Sequence, residues 1–150
     1  MADVLGLIGD SLGIYSFFSS LFASKQANIC IVRVSAALNS GSLSGADDTV
    51  DSVRLYNENQ QLIGNKGSSH IGSGGFHDFA VSQPSSQQAA YAEIAASTDA
   101  ICIPYATTTW VDGSHYDWSG DWGHECGLEW YYGNVFVSSA SEPHWRRSTC

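Results

Sequence analysis

Positive charge is what this chain has least of. Six Lys and Arg stand against 15 Asp and Glu, a formal net charge of -9 over 150 residues. Nucleic-acid binding draws most of its affinity from neutralising phosphates, so this balance excludes nucleic acid as a main partner. Charge of either sign is sparse: 14% of residues, against roughly 25% in an average soluble domain. Ser, Thr, Asn, Gln and Gly take over the solvated surface. The common catalytic signatures are missing as well. There is no Gly-x-Ser-x-Gly elbow, no Gly-x-x-x-x-Gly-Lys phosphate loop and no His-Glu-x-x-His, and each of those chemistries needs its residues at that spacing. No Cys-x-x-Cys pair is present, so a structural zinc site of the usual kind is not expected. The reading is therefore a non-enzyme that needs no cofactor and no metal.

What is present divides at about residue 25. From Val4 to Phe22 the text VLGLIGDSLGIYSFFSSLF carries one charge, Asp10, and Lys25 follows shortly after. As a helix it would be roughly 28 Å long, near the thickness of a bilayer core. Asp10 in mid-span and the serines Ser11, Ser16, Ser19 and Ser20 weigh against a membrane span. The acidic start Met1-Ala2-Asp3 lacks the basic region of a secretory signal. Gly9-x-x-x-Gly13 lies among Leu5, Ile8, Leu12, Tyr15 and Phe17, a small-residue face over which helices approach closely. A helix apolar all round must be buried by something. Residues 1–25 are thus expected to form a hydrophobic helix that associates with copies of itself, packing on its own domain and insertion into a membrane being the rivals.

Beyond it the period changes. Asn28 to Val34, Val53 to Tyr56, Leu62-Ile63, His77 to Val81, Tyr91 to Ala96, Ala100 to Tyr105, Thr107 to Val111 and Trp130 to Val137 read as short strands bounded by turn residues. That spacing suits an all-β sandwich. Asn57-Glu58-Asn59-Gln60 reads as a hairpin turn, and 64–75 as a glycine-rich loop. SQQAAYAEIAAS has helix-forming composition but alternates at Ala90, Ala92 and Ile94, which favours strand. The expectation is a mainly β chain, an antiparallel β-sandwich over 26–150 preceded by one hydrophobic N-terminal α-helix.

The segments SQQAAYAEI, DAICI, TTTW, GDWG and ECGLEWYYGNVFV resemble a pattern in uncharacterised β-rich proteins of filamentous fungi. The resemblance covers roughly the C-terminal half and implies a β-sandwich-like domain of fungal type. It carries no established activity and no catalytic residues. VDGSHYDW has a looser likeness to the His-Asp-Trp motif of the necrosis-inducing secreted toxins. It departs from that motif at Tyr116, where a second histidine is expected, and at the Ser after Trp118, so that family's metal site is not expected here.

Trp110, Tyr116, Trp118, Trp122, Trp130, Tyr131 and Tyr132 interleave with Asp112, Asp117, Asp121 and Glu125. Flat aromatic faces beside carboxylates suit a sugar, the ring stacking on C–H groups while the carboxylates accept hydroxyl protons. Tyr116, Asp117, Trp118, Asp121 and Trp122 are the candidate glycan-binding residues, set against the plainer reading that these rings line the core and its end loops. Asp47, Asp48 and Asp51, and separately the histidines with Asp117 and Asp121, match no known metal-binding spacing. Gly72-Ser73-Gly74-Gly75 precedes neither a helix nor a lysine and is not read as a phosphate cradle.

Four cysteines permit three pairings. Cys30 and Cys102 lie in apolar strand-like text and read as core thiols, while Cys126, after a Gly-His-Glu turn, and Cys150 are the candidates for a disulfide with each other or between molecules. An oxidising compartment fits such a bridge, whereas a missing signal and the lack of an Asn-x-Ser/Thr sequon do not fit the usual secretory route. Export to the exterior or cell surface by a non-classical path reconciles these, with the cytoplasm as alternative. The leading expectation is a self-assembling structural protein whose partner is itself. A membrane-active β-sandwich and a lectin-like module are the two rivals.

Overall fold

The computed structural model describes residues 28–40, 43–97, 101–119 and 126–127, and the strand backbones at 130–139 and 142–149. Ten strands run in chain order: β1 (Ile29–Ser35), β2 (Asp48–Tyr56), β3 (Leu62–Lys66), β4 (Ser69–Ile71), β5 (Phe76–Ser82), β6 (Tyr91–Ala96), β7 (Tyr105–Thr109), β8 (His115–Ser119), β9 (Trp130–Ser139) and β10 (Glu142–Thr149). The chain is mainly β, with no helix among the described residues. The N-terminal helix expected over 1–25, with its face of Leu5, Ile8, Gly9, Leu12, Gly13, Tyr15 and Phe17, lies outside them. Strands β1 to β8 belong to one compact unit, Ala27–Asn134 with Arg147–Cys150; a second unit takes in Val135–Arg146. Strands β9 and β10 pair with each other in a sheet of their own.

Sheet 1 has the order β5-β1-β7-β8 and is antiparallel throughout. Sheet 2 is built on the long strand β2, which pairs with β6 along one edge and with β3 and β4 in succession along the other, again antiparallel. Cys30, Val32, Val34, Phe79 and Val81 from sheet 1 meet Val50, Val53, Leu55, Ile63 and Ile71 from sheet 2 in one hydrophobic cluster. Their β-branched and aromatic side chains fit a pleated, buried surface. Each large one contributes about 1.5–3 kcal/mol by leaving water.

In β2 the inward positions are Val50, Val53 and Leu55, a spacing of three and then two. The register against β6 shifts between Val50 and Ser52, so exposed Asp51 is the extra residue of a bulge. An added residue flips the alternation and returns Val53 to the core face.

Strand β1 follows a different rule, because six consecutive residues from Cys30 to Ser35 are buried. Val32 and Val34 face sheet 2, while Ile31, Arg33 and Ser35 occupy the opposite face and are withdrawn from solvent too. Arg33 is accommodated there by Asp78 on the neighbouring strand. Its Nε donates to Asp78 Oδ1 and its Nη2 to Oδ2, both at 2.6 Å. The guanidinium also lies 4.0 Å from the centre of the Phe76 ring. A two-pronged bond to carboxylate with an aromatic neighbour is the geometry that guanidinium suits best.

Two expectations are corrected. The glycine-rich span 64–75 is not one loop, because β3 reaches Lys66 and β4 occupies Ser69–Ile71. In place of the strand expected from Ala100 to Tyr105, residues 101–104 are not extended into a ladder, and β7 starts only at Tyr105. There Pro104 has no N–H for a ladder, and Cys102 instead bonds Ala46 and Ala37 through its N–H and carbonyl. Finally, β8 occupies His115–Ser119, for which the strand pattern of the sequence carries no expectation.

Candidate functional site

Three turns converge at one end of the two sheets. The first joins β2 to β3 and is organised by Asn57, which is 5% exposed. Its Oδ1 accepts the N–H groups of Asn59 and Gln61 at 3.0 and 2.9 Å, and its Nδ2 donates to Gln61 Oε1 at 3.0 Å. The Gln60 N–H closes the turn on the Asn57 carbonyl, with Gln60 in the left-handed region at φ 60°. This local side-chain bonding is why Asn favours turns. It leaves Glu58 at the tip.

The second segment is the end of the loop from β5 to β6. Ala89 is buried in the core cluster, and the Ala90 N–H donates to the Tyr56 carbonyl at 2.8 Å, which holds Gln87 and Gln88 beside the Asn57 turn.

The third is the β7–β8 hairpin. The Trp110 N–H donates to the Ser114 carbonyl, the Gly113 N–H to the Trp110 carbonyl, and Gly113 takes φ 85°, a conformation that costs glycine little. Asp112 Oδ1 accepts the Ser114 N–H at 2.9 Å and its hydroxyl at 2.6 Å. Those bonds favour the ionised form and hold the Asp112 carboxyl below its ordinary value.

Between these turns lies a cleft of about 790 Å³, lined by Asn57 and Glu58, by Gln87, Gln88, Ala89 and Ala90, and by Trp110, Ser114, His115 and Tyr116. That size falls within the range of small-molecule sites. Trp110 rests its inner side on the hydrophobic core, while Tyr116 is 62% exposed. Among the described residues, ring faces, side-chain amides, the Ser114 and Tyr116 hydroxyls, one carboxylate and one imidazole share the wall, and no Lys or Arg lines it. The arrangement can stack on an apolar ligand face and exchange hydrogen bonds with polar groups at its rim.

Of the sequence-derived glycan residues, Tyr116 lines this cleft. Trp118 lies on the same face of β8, since it pairs with Ala106 while Tyr116 pairs with Thr108. Asp117 pairs with Thr107 and so points to the opposite face, because strand side chains alternate. The expected Tyr116-Asp117-Trp118 cluster is therefore split. Asp121 and Trp122 lie outside the described residues. Sequence reasoning did not assign Asn57, Glu58, Gln87 and Gln88 to a site; the turn at 57–60 was legible, but not its meeting with a loop thirty positions on.

The acidic cluster is a hydrogen-bonded surface. Asp48 accepts the Ser97 hydroxyl at 2.7 Å, a bond that holds its carboxyl below the ordinary value. Asp47 accepts Asn39 Nδ2 at 3.3 Å and stands 4.0 Å from His70 Nε2. Among the described residues no group of three or more His, Cys, Asp or Glu is placed to hold a metal ion. Gly72–Gly75 is a turn, closed by the Gly75 N–H on the Gly72 carbonyl at 2.8 Å.

The cysteines depart from the expected bridge between Cys126 and Cys150. Cys126 carries a free, exposed thiol and Cys30 a free, buried one, whereas Cys102 is disulfide-bonded. Cys150 lies outside the described residues. Cys102 sits in a small cluster with Ala37 and Ala46, and burial there had been the reason to read it as a packing thiol.

No protein-family model, curated protein or solved structure matches this chain.

Proposed function

We propose that the chain is a non-enzymatic β-sandwich binding module, and that its end cleft takes a saccharide. The observation behind this reading is the cleft of about 790 Å³ in which Trp110 and Tyr116 stand beside Asn57, Glu58, Gln87 and Gln88. Sugars present C–H faces to aromatic rings and hydroxyl groups to amides and carboxylates, and this wall offers both. A glycan array probed with the full chain tests it. Binding that is lost in Tyr116→Ala supports the module, and silence across neutral and charged glycans rejects it.

Self-assembly is the second reading, favoured by the 4–22 segment, where apolar residues surround Gly9 and Gly13 and only Asp10 is charged. In this reading the chain's partner is another copy, and assemblies display the binding module outside the cell or at its surface. Light scattering of the full chain at micromolar concentration tests this: oligomers that shrink in a Gly9→Leu, Gly13→Leu variant support it, and a monomer rejects it. Among the described residues no helix is long and apolar enough to cross a membrane.

A further inference from the structure

Strand β8 carries an aromatic pair of which the cleft uses only half. Tyr116 and Trp118 lie on one face of β8, opposite Thr108 and Ala106 of β7. Those two residues pair in turn with Val32 and Val34, so the face is continuous with the one packed on sheet 2. At β8, the last strand of sheet 1, that face opens to solvent. Tyr116 is 62% and Trp118 36% exposed. Tyr116 forms part of the cleft wall and Trp118 does not.

Residues i and i+2 of an antiparallel strand are about 6.8 Å apart. One pyranose ring cannot lie over both side chains, whereas two linked sugars can. Charge narrows the ligand further. Among the described residues of the cleft wall, Glu58 supplies a carboxylate, His115 an imidazole, and none a guanidinium or ammonium. Asp112, held ionised by Ser114, stands at the neighbouring turn. An acidic sugar would meet these two carboxylates without a cation among the described wall residues to pair with, within a chain of net charge -9.

We infer that the ligand is an uncharged oligosaccharide of at least two sugars, seated in the cleft at one end and running along β8 over Tyr116 to Trp118. This inference rests on the saccharide reading of the cleft.

Titration calorimetry on the full chain tests it, with chitin-derived and glucan-derived oligosaccharides of one to six sugars and oligogalacturonates of matching length. Affinity should rise from one sugar to three and then level. Trp118→Ala should remove about fivefold to tenfold of the affinity for the longer chains, the worth of one aromatic stack, and leave monosaccharide binding unchanged, which also shows that the variant is folded. Trp118→Phe should restore most of the loss. Oligogalacturonate should bind about tenfold or more weakly than its neutral counterpart. Length-independent affinity, a silent Trp118→Ala, or equal binding of the acidic series would overturn the inference while leaving a saccharide cleft in place. Failure of every sugar to bind would reject the cleft reading itself, and this inference with it.

Discussion

The two sheets hold the same kind of ion pair in opposite circumstances. In sheet 1, Arg33 and Asp78 are joined by two bonds of 2.6 Å with side chains 3% and 11% exposed. In sheet 2, Arg54 and Glu93 meet at 3.0 Å with side chains 43% and 46% exposed, and the Tyr56 hydroxyl donates to the same carboxylate at 2.7 Å. The difference follows from the strands that carry them. Strand β1 is withdrawn from water on both faces, whereas β2 buries one face and wets the other, and its neighbour β6 is exposed apart from half-buried Ile94 and Ala95. A strand buried on both sides can keep an arginine only if the carboxylate comes with it. On the wet face of sheet 2 water takes up whatever charge is left over.

The comparison breaks or holds on paired substitutions. Asp78→Ala leaves the Arg33 guanidinium buried without that carboxylate and should cost about 3–5 kcal/mol; Glu93→Ala should cost less than about 1 kcal/mol. Urea unfolding midpoints of the two variants check this, and similar losses would mean that the sheets do not differ as described.

A smaller loss is expected where the sheets approach each other. A Cβ on Gly64 of β3 would lie 2.7 Å from Val81 Cγ1 and 3.0 Å from the Ser82 carbonyl oxygen of β5. Gly64→Ala should therefore destabilise by about 1–3 kcal/mol through overpacking, measured by the same unfolding curves.

Thiol chemistry sharpens the contrast without a substitution. Burial pushes the Cys30 thiol up from 9.0 to about 12, whereas Cys126 is exposed. With disulfides intact, a thiol reagent at pH 8 should label Cys126 promptly and Cys30 only at the rate of unfolding. Because the folded value is the higher one, the stability linked to Cys30 is complete below the unfolded value and is lost as pH climbs from 9.0 toward about 12. Among the described cysteines, Cys30 and Cys126 are free and Cys102 is bridged. Peptide mapping without reductant should recover Cys102 in a disulfide-linked peptide and Cys30 and Cys126 in linear ones.

The smallest effect belongs to sheet 2. Asp48, at the start of β2, is held below its ordinary value chiefly by the Ser97 hydroxyl. A depressed carboxyl contributes stability above its unfolded value and loses it as pH falls through the folded one. Ser97→Ala should move acid unfolding to slightly higher pH, read by circular dichroism along a pH series.

Much of this architecture was legible in the text. The run Ile29 to Val34, the hairpin through Asn57–Gln60, His77 to Val81 and the alternation of Tyr91–Ala96 each declared a strand by period or turn chemistry. The register shift at Asp51 was not legible, because a bulge leaves no residue type that demands it. Strand β8 was marked by Asp112-Gly113, a strong short-range hairpin signal. The aromatic density just beyond it reads as a ligand site rather than as a strand, and this groups Asp117 with rings from which strand alternation separates it. The candidate cleft was half visible. Trp110 and Tyr116 stand out as aromatics in the sequence, but Glu58 and Gln87 join them only through the pairing of β6 with β2, and Cys102 looked like any packing thiol because alternation reports burial and not bonding.

Entry of ligand between the three turns can be followed by amide chemical-shift mapping, with the full chain titrated by a chitin-derived trisaccharide. The largest shifts should cluster at Asn57 and Glu58, at Gln87 to Ala90, and from Trp110 through Trp118, with the wet face of sheet 2 around Arg54 and Glu93 unmoved. Shifts centred on that face, or none at saturating sugar, would contradict that entry.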